Sequence, residues 1–320
     1  MSDQFKTKLV VNPRSANGRT GKNWAAIEAR IREHLPEFDT AFTQGPMHAT
    51  ELARDALRHG YEMVVTVGGD GTNSEVVNGF FEPDGAPVRP DAVLGVLPMG
   101  TGCDFVKTAG IPKPVEQAAA HLPGRHAIPC DAGYLEYTDS GGNPAARHFI
   151  NIADFGIGGE VAVNVNRATK ALGGFVSFFG GILRTELTYR NKTVRLRADG
   201  RDLGERLIKN VIVANGQFFG GGMRIAREAA LSDGQFEVII MNALTRWEGL
   251  RLIRGMYSGD YVNYTRKIER FKARELRAES GDTVLLDVDG EQPGRLPCFM
   301  KIVPRAIRLK LKDPAPGAPE

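Results

Sequence analysis

The sequence contains little cysteine and no long hydrophobic run. Only Cys103, Cys130 and Cys298 occur among 320 residues, and an odd number at scattered spacing fits neither a disulfide framework nor a zinc cluster. No apolar stretch reaches the roughly 18 residues that a membrane-spanning helix needs, and the polar N-terminus lacks the apolar core of a secretion signal. These absences predict a cytoplasmic protein whose contact with a membrane is peripheral.

The motifs of several large enzyme classes are also missing. The chain has no Gly-x-x-x-x-Gly-Lys-Ser/Thr loop, no Gly-x-Ser-x-Gly elbow and no histidine pair at metal-binding spacing. Asp154-Phe155-Gly156 occurs without the other protein-kinase motifs, so we interpret it as coincidental. The formal net charge of +3 is too small to indicate a nucleic acid partner, and none is expected.

The pattern of apolar residues divides the chain in two. Strand-like and helix-like segments alternate over residues 1–131, which predicts a doubly wound parallel α/β domain. Strand-like segments dominate residues 132–303 and predict a β-sandwich domain with few helices. A last strand, Ala306–Leu311, is expected to return residues 304–313 to the first domain, and the Pro- and Gly-rich tail 314–320 is expected to be disordered. The strands predicted for the second domain are Ala132–Tyr137, His148–Ala153, Lys192–Ala198, Lys209–Ala214, Phe236–Met241, Thr283–Val288 and Phe299–Val303.

The glycine-rich loop Gly68-Gly69-Asp70-Gly71-Thr72 is the sharpest motif. It follows the predicted strand Met63–Val67 and precedes the predicted helix Asn73–Phe81. Glycines let the backbone approach an anion closely, and the helix adds the positive end of its dipole, so the loop suits a phosphate group. Asp70 would repel phosphate and would have to act through Mg²⁺, water or a hydroxyl. A tight turn with Asp70 as a helix cap explains the glycines equally well.

Two further loops favour phosphate binding. Leu97–Phe105 (LPMGTGCDF) and Val11–Gly18 (VNPRSANG) also follow predicted strands and carry glycine with hydroxyl, amide or carboxylate groups. The carboxyl ends of parallel strands meet at one edge of a sheet. Three polar loops on that edge predict a binding crevice.

Carboxylates recur late in the chain. Asp287 and Asp289 stand at the end of a predicted strand, where a carboxylate could accept a proton from a hydroxyl. Asp289-Gly290 is also a common hairpin turn, and on local sequence alone the turn is the favoured interpretation. Asp233, in the turn Leu231–Gln235, suits either a cation site or a plain Asx turn.

The apolar segment Ala171–Leu183 is too short to span a membrane. A buried core helix is its favoured interpretation. The alternative is a segment that lines an entry for acyl chains or dips into a membrane surface, with basic residues nearby to face anionic lipid headgroups. Those residues are Arg184, Arg190, Arg246, Arg251, Arg254, Lys267, Arg270, Lys272 and Arg274.

Five motifs, taken in their order along nearly the whole chain, resemble the diacylglycerol kinase catalytic family, which includes bacterial diacylglycerol kinases and sphingosine and ceramide kinases. They are the stretch at Asn12, the loop Gly68–Thr72, the stretch Leu97–Phe105, the glycine run Gly220–Gly222 with Ser232-Asp233-Gly234, and Asp289-Gly290-Glu291. The sequence departs from the family's pattern at Cys103, where Asn is usual, at Arg227, where Pro is common, and in the longer first loop Ala16–Gly18.

The resemblance implies an NAD-kinase-like nucleotide-binding domain, a β-sandwich domain and a site in the cleft between them. It implies that ATP phosphates lie on the loop Gly68–Thr72 and that Mg²⁺ takes part. Residues implied for nucleotide binding are Asn12, Ser15, Thr43, Gly68, Gly69, Asp70, Gly71, Thr72, Gly100 and Thr101. Asp70, Asp104 and Asp131 are implied to hold Mg²⁺, and Asp233 with the carbonyls of Ala230 and Gln235 a second, structural metal ion.

For chemistry, the resemblance implies that Asp289 is the general base and Glu291 its supporting acid. The expected reaction is phosphoryl transfer from ATP to the hydroxyl of a diacylglycerol-like or sphingoid-like membrane lipid, with a homodimer plausible. Two alternatives stay open: a kinase for a soluble acceptor, as in NAD kinases, and a non-catalytic nucleotide- or lipid-binding protein.

Overall fold

The structure is a computed structural model that describes residues 4–172, 175–258 and 267–312. The chain forms two compact units, one from Met1–Ala132 with Pro304–Glu320 and the other from Gly133–Val303. Two strands, Ala127–Asp139 and Gly294–Lys310, contain residues of both units.

The first unit alternates strands and helices. Its strands are β1 (Thr7–Val11), β2 (Asp39–Phe42), β3 (Met63–Gly68), β4 (Val93–Pro98), the start of β5 (Ala127–Asp139) and the end of β16 (Gly294–Lys310). Its helices are α1 (Arg19–Lys22), α2 (Trp24–Arg32), α3 (His48–Arg58), α4 (Asp70–Asn78), α5 (Asp104–Ala109) and α6 (Val115–Ala119), and Ser15–Gly18 forms a short 3₁₀ helix.

A parallel sheet with the strand order β2-β1-β3-β4-β16 forms the centre of this unit. β3 and β4 are buried at every position, as expected for strands covered by helices on both faces. The order reverses between β1 and β3, because β2 lies on one side of β1 and β3 on the other. In doubly wound sheets the ligand crevice lies at the carboxyl ends of the strands at such a reversal.

Helix α4 begins earlier than the sequence predicts. The prediction placed its start at Asn73, but the helix runs from Asp70 to Asn78, with Gly69 as the N-cap. Glycine is tolerated there because the first-turn amides have no acceptor inside the helix in any case. Gly71 and Thr72 therefore lie in the first helical turn, so that the loop itself forms the positive end of the helix.

The second unit is rich in β-structure. Its strands are the end of β5, β6 (Pro144–Phe149), β7 (Ile152–Gly156), β8 (Lys192–Ala198), β9 (Arg201–Ala214), β10 (Phe218–Phe219), β11 (Met223–Arg224), β12 (Phe236–Asn242), β13 (Ile268–Ala273), β14 (Glu275–Glu279), β15 (Leu286–Val288) and the start of β16. Its helices are α7 (Ile157–Leu172), α8 (Phe175–Thr188) and α9 (Arg246–Ser258).

Strand β9 organises this unit because it takes part in three ladders. Its first part pairs with β8, and its last part pairs with β12 on one side and with β7 on the other. Beyond them, β14 pairs with both β8 and β16, while β13 flanks β12 and β15 flanks β7. All of these pairings are antiparallel.

The core of the second unit lies on both faces of β12. Phe149 and Phe236 stack at a centroid distance of 5.6 Å, and Val238 of β12 joins the same cluster. The alternate residues Ile239 and Met241 point into a second cluster, which includes apolar side chains of α9. Alternation along one strand thus fixes the sheet between two apolar layers.

Several predicted elements of the second unit differ in the structure. The predicted strand His148–Ala153 is two strands, β6 and β7, separated at Ile150 and Asn151. The predicted strands Phe299–Val303 and Ala306–Leu311 are one continuous strand, β16, which runs through Pro304. Pro can lie in a strand where its missing N–H is not needed by the ladder.

Two further predictions fall largely outside the described residues. The tail 314–320 lies beyond residue 312, and the side chains of most of Ala171–Leu183 are not described. Among the helices of residues 4–172, 175–258 and 267–312, none has both the length and the apolar character to cross a membrane.

Candidate functional site

Three loops of the first unit leave the carboxyl ends of the adjacent strands β1, β3 and β4. The first and second loops are joined by a side-chain hydrogen bond, in which Asn12 Nδ2 donates to Thr72 Oγ1 at 2.9 Å. The backbone amide of Asn12 also donates to the carbonyl of Val67 at 2.9 Å. Asn12 thus fixes the end of β1 to the start of α4, at the reversal of the strand order.

The second and third loops meet through glycine backbones. A Cβ atom on Gly100 would lie 2.6 Å from the Cα of Gly69, and a Cβ on Gly68 would lie 2.6 Å from Thr72 Oγ1. Real side chains do not approach so closely. In addition, the Met99 amide donates to the Gly68 carbonyl at 2.7 Å. Gly100 is therefore required by the contact between the loops, and Gly68 by the turn into α4. The contact brings the amide-rich backbone of both loops into one place.

Asp70 caps a helix, but not the helix that it begins. Its Oδ1 accepts the backbone amide of Asp104 at 2.9 Å and that of Phe105 at 3.4 Å, both in the first turn of α5. A carboxylate at this position complements the positive end of the helix. Asp104 in turn forms an ion pair with Lys107 Nζ at 2.6 Å. The structure therefore brings Asp70 and Asp104 together, through the backbone of α5.

The other residues predicted for nucleotide binding lie near the same loops. Ser15 Oγ donates to the Asn12 carbonyl at 2.9 Å, and the Thr43 amide donates to the Val11 carbonyl at 2.9 Å. Thr101 lies in the third loop, where its carbonyl accepts Lys113 Nζ at 2.9 Å. Cys103, which replaces the usual Asn, is buried, and its burial raises the pKa of the thiol to about 11, with Asp70 adding to the rise. The thiol is therefore neutral.

The three aspartates predicted to hold Mg²⁺ are not gathered into one cluster. Asp131 is fully buried on β5, and its Oδ1 accepts the Arg305 amide at 2.7 Å. Within the described part of the chain, no three Asp, Glu, His or Cys side chains are placed to hold a metal ion. Mg²⁺ bound beside phosphates usually takes one or two carboxylates together with phosphate and water oxygens. Asp70 and Asp104 fit that donor set.

Asp289, in the second unit, lies in a tight backbone turn. It stands with Gly290 in a two-residue hairpin turn closed by two hydrogen bonds between Val288 and Glu291, and both turn residues have positive φ, 52° and 88°. Such a turn is the favoured geometry for Asp-Gly. The hairpin interpretation of this stretch is therefore confirmed.

The carboxylate of Asp289 accepts three backbone amides, which is the main finding of this region. Ile150 donates to Oδ2 at 3.1 Å, while Asn151 and Ile152 donate to Oδ1 at 3.0 and 3.1 Å. These amides point away from the sheet because the strand breaks between β6 and β7. Burial raises the pKa of Asp289, and the three amides and Arg147 offset part of the rise. The group is a desolvated carboxylate in a fixed position.

Arg147 is a residue of this site that motif reasoning missed. It is a largely buried side chain on β6, and both of its terminal nitrogens donate to Glu291 Oε2 at 3.2 Å. Glu291, predicted to support the base, is thus oriented by a cation from a neighbouring strand. Arg147 lies in no motif; it stands on β6, which pairs with β5, and meets Glu291 beside the turn at Gly290.

The residues predicted for a second metal ion do not fit one. Asp233 Oδ2 forms an ion pair with Lys272 Nζ at 2.6 Å, and the same ammonium donates to the Glu228 carbonyl at 2.8 Å. Asp233 Oδ1 accepts the Gln235 amide at 3.1 Å, so the segment is also an Asx turn. An ammonium group occupies the place of a cation.

Comparison with known families agrees with these two units. Residues 6–135 match the family model described as the diacylglycerol kinase catalytic domain. Residues 151–311 match the model described as the YegS C-terminal NAD kinase beta sandwich-like domain, which covers half of the chain. The chain belongs to the diacylglycerol kinase family.

Curated relatives of this chain are named diacylglycerol kinase. The diacylglycerol kinase of Bacillus subtilis (strain 168) is 28% identical over 294 residues, which are 91% of each chain. The diacylglycerol kinase of Staphylococcus carnosus (strain TM300) is 28% identical over 295 residues, 91% of this chain and 90% of the relative.

Solved structures confirm the fold class, a doubly wound nucleotide-binding-type domain with a β-sandwich domain. A crystal structure of a diacylglycerol kinase from Bacillus anthracis superposes with a TM-score of 0.73 at 22% identity, covering 98% of this chain and 99% of that one. Yeast NADH kinase superposes with a TM-score of 0.51 at 12% identity, covering 98% and 85%. At these identities the likeness concerns the fold alone.

Proposed function

We propose that this protein is an ATP-dependent lipid kinase that transfers the γ-phosphoryl group of ATP to the hydroxyl of a diacylglycerol-like or sphingoid-like lipid. Membership of the diacylglycerol kinase family supports a lipid kinase in general. The nucleotide and the acceptor are inferred from this family membership, and the residue roles below from the geometry of the loops and of Asp289.

The loops of the first unit suit the phosphates of ATP. Gly68–Thr72 begins α4, and its backbone packs directly against Gly100 of the third loop. Backbone amides at a helix start attract anions through hydrogen bonds and through the helix dipole. Asn12 and Thr72 hold the first two loops in register, so the cradle needs little reorganisation when the nucleotide binds.

Mg²⁺ would be held at the phosphates by Asp70 and Asp104. When bound, it neutralises phosphate charge that would otherwise repel an approaching hydroxyl.

The buried carboxylate of Asp289 is the observation that carries the proposal. Phosphoryl transfer demands little covalent work, but an acceptor hydroxyl must lose its proton to a base at a fixed position. Asp289 is held by three backbone amides, two on Oδ1 and one on Oδ2, so Oδ2 keeps a second lone pair that can accept the hydroxyl proton. The Arg147–Glu291 pair stabilises the turn beside it.

The test is phosphoryl transfer by purified protein with radiolabelled ATP and Mg²⁺. The acceptors are mixed micelles of diacylglycerol, monoacylglycerol, sphingosine, ceramide or phosphatidylglycerol, with NAD as a soluble acceptor. We expect label in one lipid and a kcat lower by about 10²–10⁴-fold in Asp289→Asn. Asp282→Asn, an exposed aspartate of the same unit, serves as the matched control and should retain activity.

Three outcomes would contradict the proposal. Transfer to NAD but to no lipid would assign the protein to soluble-substrate kinases. ATP binding without transfer to any acceptor would favour a binding protein. Equal activity of Asp289→Asn and Asp282→Asn would remove Asp289 from the chemistry.

A further inference from the structure

Two more aspartates lie behind the turn that carries Asp289. Asp287, on β15, is the direct partner of Asp154, on β7, in the antiparallel register of these strands. Side chains of such partners are only about 5 Å apart at Cβ, and like charges there repel each other. The chain thus places two acids opposite each other, one of them, Asp287, two residues before the proposed base.

Asp154 is enclosed by protein. It is 1% exposed, and its Oδ1 has no hydrogen-bond partner. A Cβ on Gly158 would lie 1.8 Å from that oxygen, so the glycine at the start of α7 leaves only enough room for the carboxyl group. An ionised oxygen without a donor in such a place is costly, whereas a protonated carboxyl is not.

The groups that face the pair are mostly acidic or neutral. Asp289 and Glu291 lie beyond Asp287 on the same hairpin, and Asn210 of β9 hydrogen-bonds Asp154. Burial raises the pKa of the phenol of Tyr189, which follows α8. The nearby carboxylates of Glu160, Asp154 and Asp282 raise it further. The cations on neighbouring strands are engaged: Arg147 pairs with Glu291 and Lys209 with Glu186.

Both pKa values move in the direction that keeps a proton on the pair. Burial raises the pKa of Asp154 to about 7, and burial together with the charge of Asp154 raises that of Asp287 well above its ordinary value. Two interacting carboxyls lose their protons in two separate steps. At neutral pH the pair therefore keeps one of its two protons.

Asp287 connects this pair to the base. Its Oδ1 accepts the amide of Gly290 at 2.9 Å, and Gly290 is the other residue of the Asp289 turn. Asp287 thus holds the backbone of the turn through Gly290. The amides at the break between β6 and β7 hold the carboxylate of Asp289.

We propose that Asp154 and Asp287 share one proton and act together as positioning residues that hold the Asp289 turn in its reactive place. The proposal rests on the proposed role of Asp289 as base. Loss of the shared proton leaves two facing carboxylates, and their repulsion loosens the Asp287–Gly290 contact. Asparagine at position 154 would donate its amide to Asp287 at every pH and so imitate the protonated pair.

The first test needs no enzymatic activity. In protein labelled with ¹⁵N-glycine, the Gly290 amide signal, identified by its loss in Gly290→Ala, should shift between pH 5 and 9 in the wild type. It should not shift over that range in Asp154→Asn. Infrared difference spectra should show a protonated carboxyl that disappears at alkaline pH and is reduced in Asp154→Asn. Unchanged wild-type spectra over this range would overturn the shared proton.

Stability follows the same proton with a defined sign. Because the folded-state pKa values of Asp154 and Asp287 are both raised, the folded protein keeps protons that the unfolded chain has lost, and stability falls as pH rises from about 4 through neutral pH. The wild-type Tm should fall relative to that of Asp154→Asn by on the order of 5 °C over this window. Glu205→Gln, at an exposed glutamate of β9, is the control and should follow the wild type; parallel curves for all three proteins would overturn the proposal.

The dependence of kcat on pH distinguishes a positioning role of the pair from an effect on stability alone. We expect the kcat of the wild type to decline above neutral pH, and that decline to move up by about one pH unit or more in Asp154→Asn. Asp154→Ala, which offers Asp287 no donor, should lower kcat at all pH values with little change in KM for ATP. Superimposable kcat profiles, with the spectroscopic changes present, would show a shared proton without a positioning role. If no lipid is phosphorylated at all, the proposed function fails, and the Gly290 signal still decides whether the pair fixes the turn.

Discussion

Gly69 and Gly100 show how single residues can decide whether a binding loop closes. No side chain other than hydrogen fits at Gly100, where a Cβ would meet the Gly69 backbone at 2.6 Å. The spacing of glycines in the sequence indicated flexible, anion-binding loops. It did not indicate that two of the glycines are needed for contact between the loops.

Gly100→Ala should therefore weaken nucleotide binding. Because backbone atoms must move apart, we expect KM for ATP to rise on the order of 10-fold, which corresponds to about 1.4 kcal/mol. Gly45→Ala is the matched control, since a Cβ there meets no atom within 4 Å. An unchanged KM in Gly100→Ala would mean that the two loops do not bind ATP together.

Lys272 is a second residue whose role emerged only from the fold. It lies on β13, far in sequence from Asp233, and its ammonium neutralises the turn for which the family resemblance implied a metal ion. The cation is supplied by the chain itself.

Removal of divalent metal with EDTA should accordingly leave the Tm of the wild type unchanged in the absence of nucleotide. Lys272→Met should lower Tm by roughly 2–4 °C, because a partly exposed pair of this kind contributes up to about 1 kcal/mol. Added Ca²⁺ should recover part of that loss in Lys272→Met only. Lys192→Met is the control variant. A fall in the wild-type Tm on addition of EDTA would support a metal ion at Asp233 instead.

At the scale of elements, the break between β6 and β7 supplies the amides that bind the carboxylate of Asp289. The strand-like sequence of His148–Ala153 predicts one continuous strand. The ladder is interrupted there instead, and three consecutive amides turn toward Asp289. A distant carboxylate decides this break, so no local pattern could indicate it.

Helix α8 is attached to the sheet by a buried ion pair. Lys209 Nζ of β9 contacts Glu186 Oε1 at 2.7 Å, and both side chains are under 5% exposed. Gly249 of α9 packs against the same carboxylate, where a Cβ would lie 2.0 Å from Oε1. Three elements therefore meet at one charged contact.

Glu186→Gln should be strongly destabilising. Removing one partner leaves the Lys209 charge buried and unpaired, and the expected loss in the free energy of unfolding is about 3 kcal/mol, measured by urea denaturation. Glu205→Gln, an exposed glutamate of β9, should cost much less. The double variant Glu186→Leu with Lys209→Met should recover much of the loss; a loss below about 0.5 kcal/mol in Glu186→Gln would contradict the importance of this pair.

At the scale of the whole molecule, the proposed lipid substrate directs attention to surfaces that could contact a membrane. Helices α8 and α9 pack on each other, and both carry exposed apolar side chains. Trp247 is 82% exposed, and Leu187 is 47% exposed. Arg184, Arg246 and Arg251 on the same helices are exposed as well. Exposed aromatic and basic side chains together are typical of surfaces that bind anionic lipid.

We therefore predict peripheral binding to anionic vesicles. In flotation assays the wild type should bind vesicles with anionic lipid more tightly than neutral ones, and high salt should weaken this binding. Trp247→Ala should lower the partition on the order of 10-fold, since an indole ring leaves the interface. Leu207→Ala, an exposed apolar residue of β9, is the control. Equal binding to neutral and anionic vesicles would contradict the electrostatic part.

The homodimer implied by the family resemblance stays a prediction. Light scattering coupled to size-exclusion chromatography measures it directly. A monomer at all concentrations tested would exclude it.

The sequence by itself determined the class of the fold and the family, because both follow from patterns that are local in the chain. Buried runs such as Met63–Val67, alternating with amphipathic helices, are typical of a parallel sheet, and the glycine motifs follow directly after such runs. Tertiary structure alone decided which groups meet. Arg147 reaches Glu291, Lys272 reaches Asp233, and Asp154 faces Asp287 because antiparallel registers bring distant residues together. Register depends on the packing of whole sheet faces, and no short stretch of sequence encodes it.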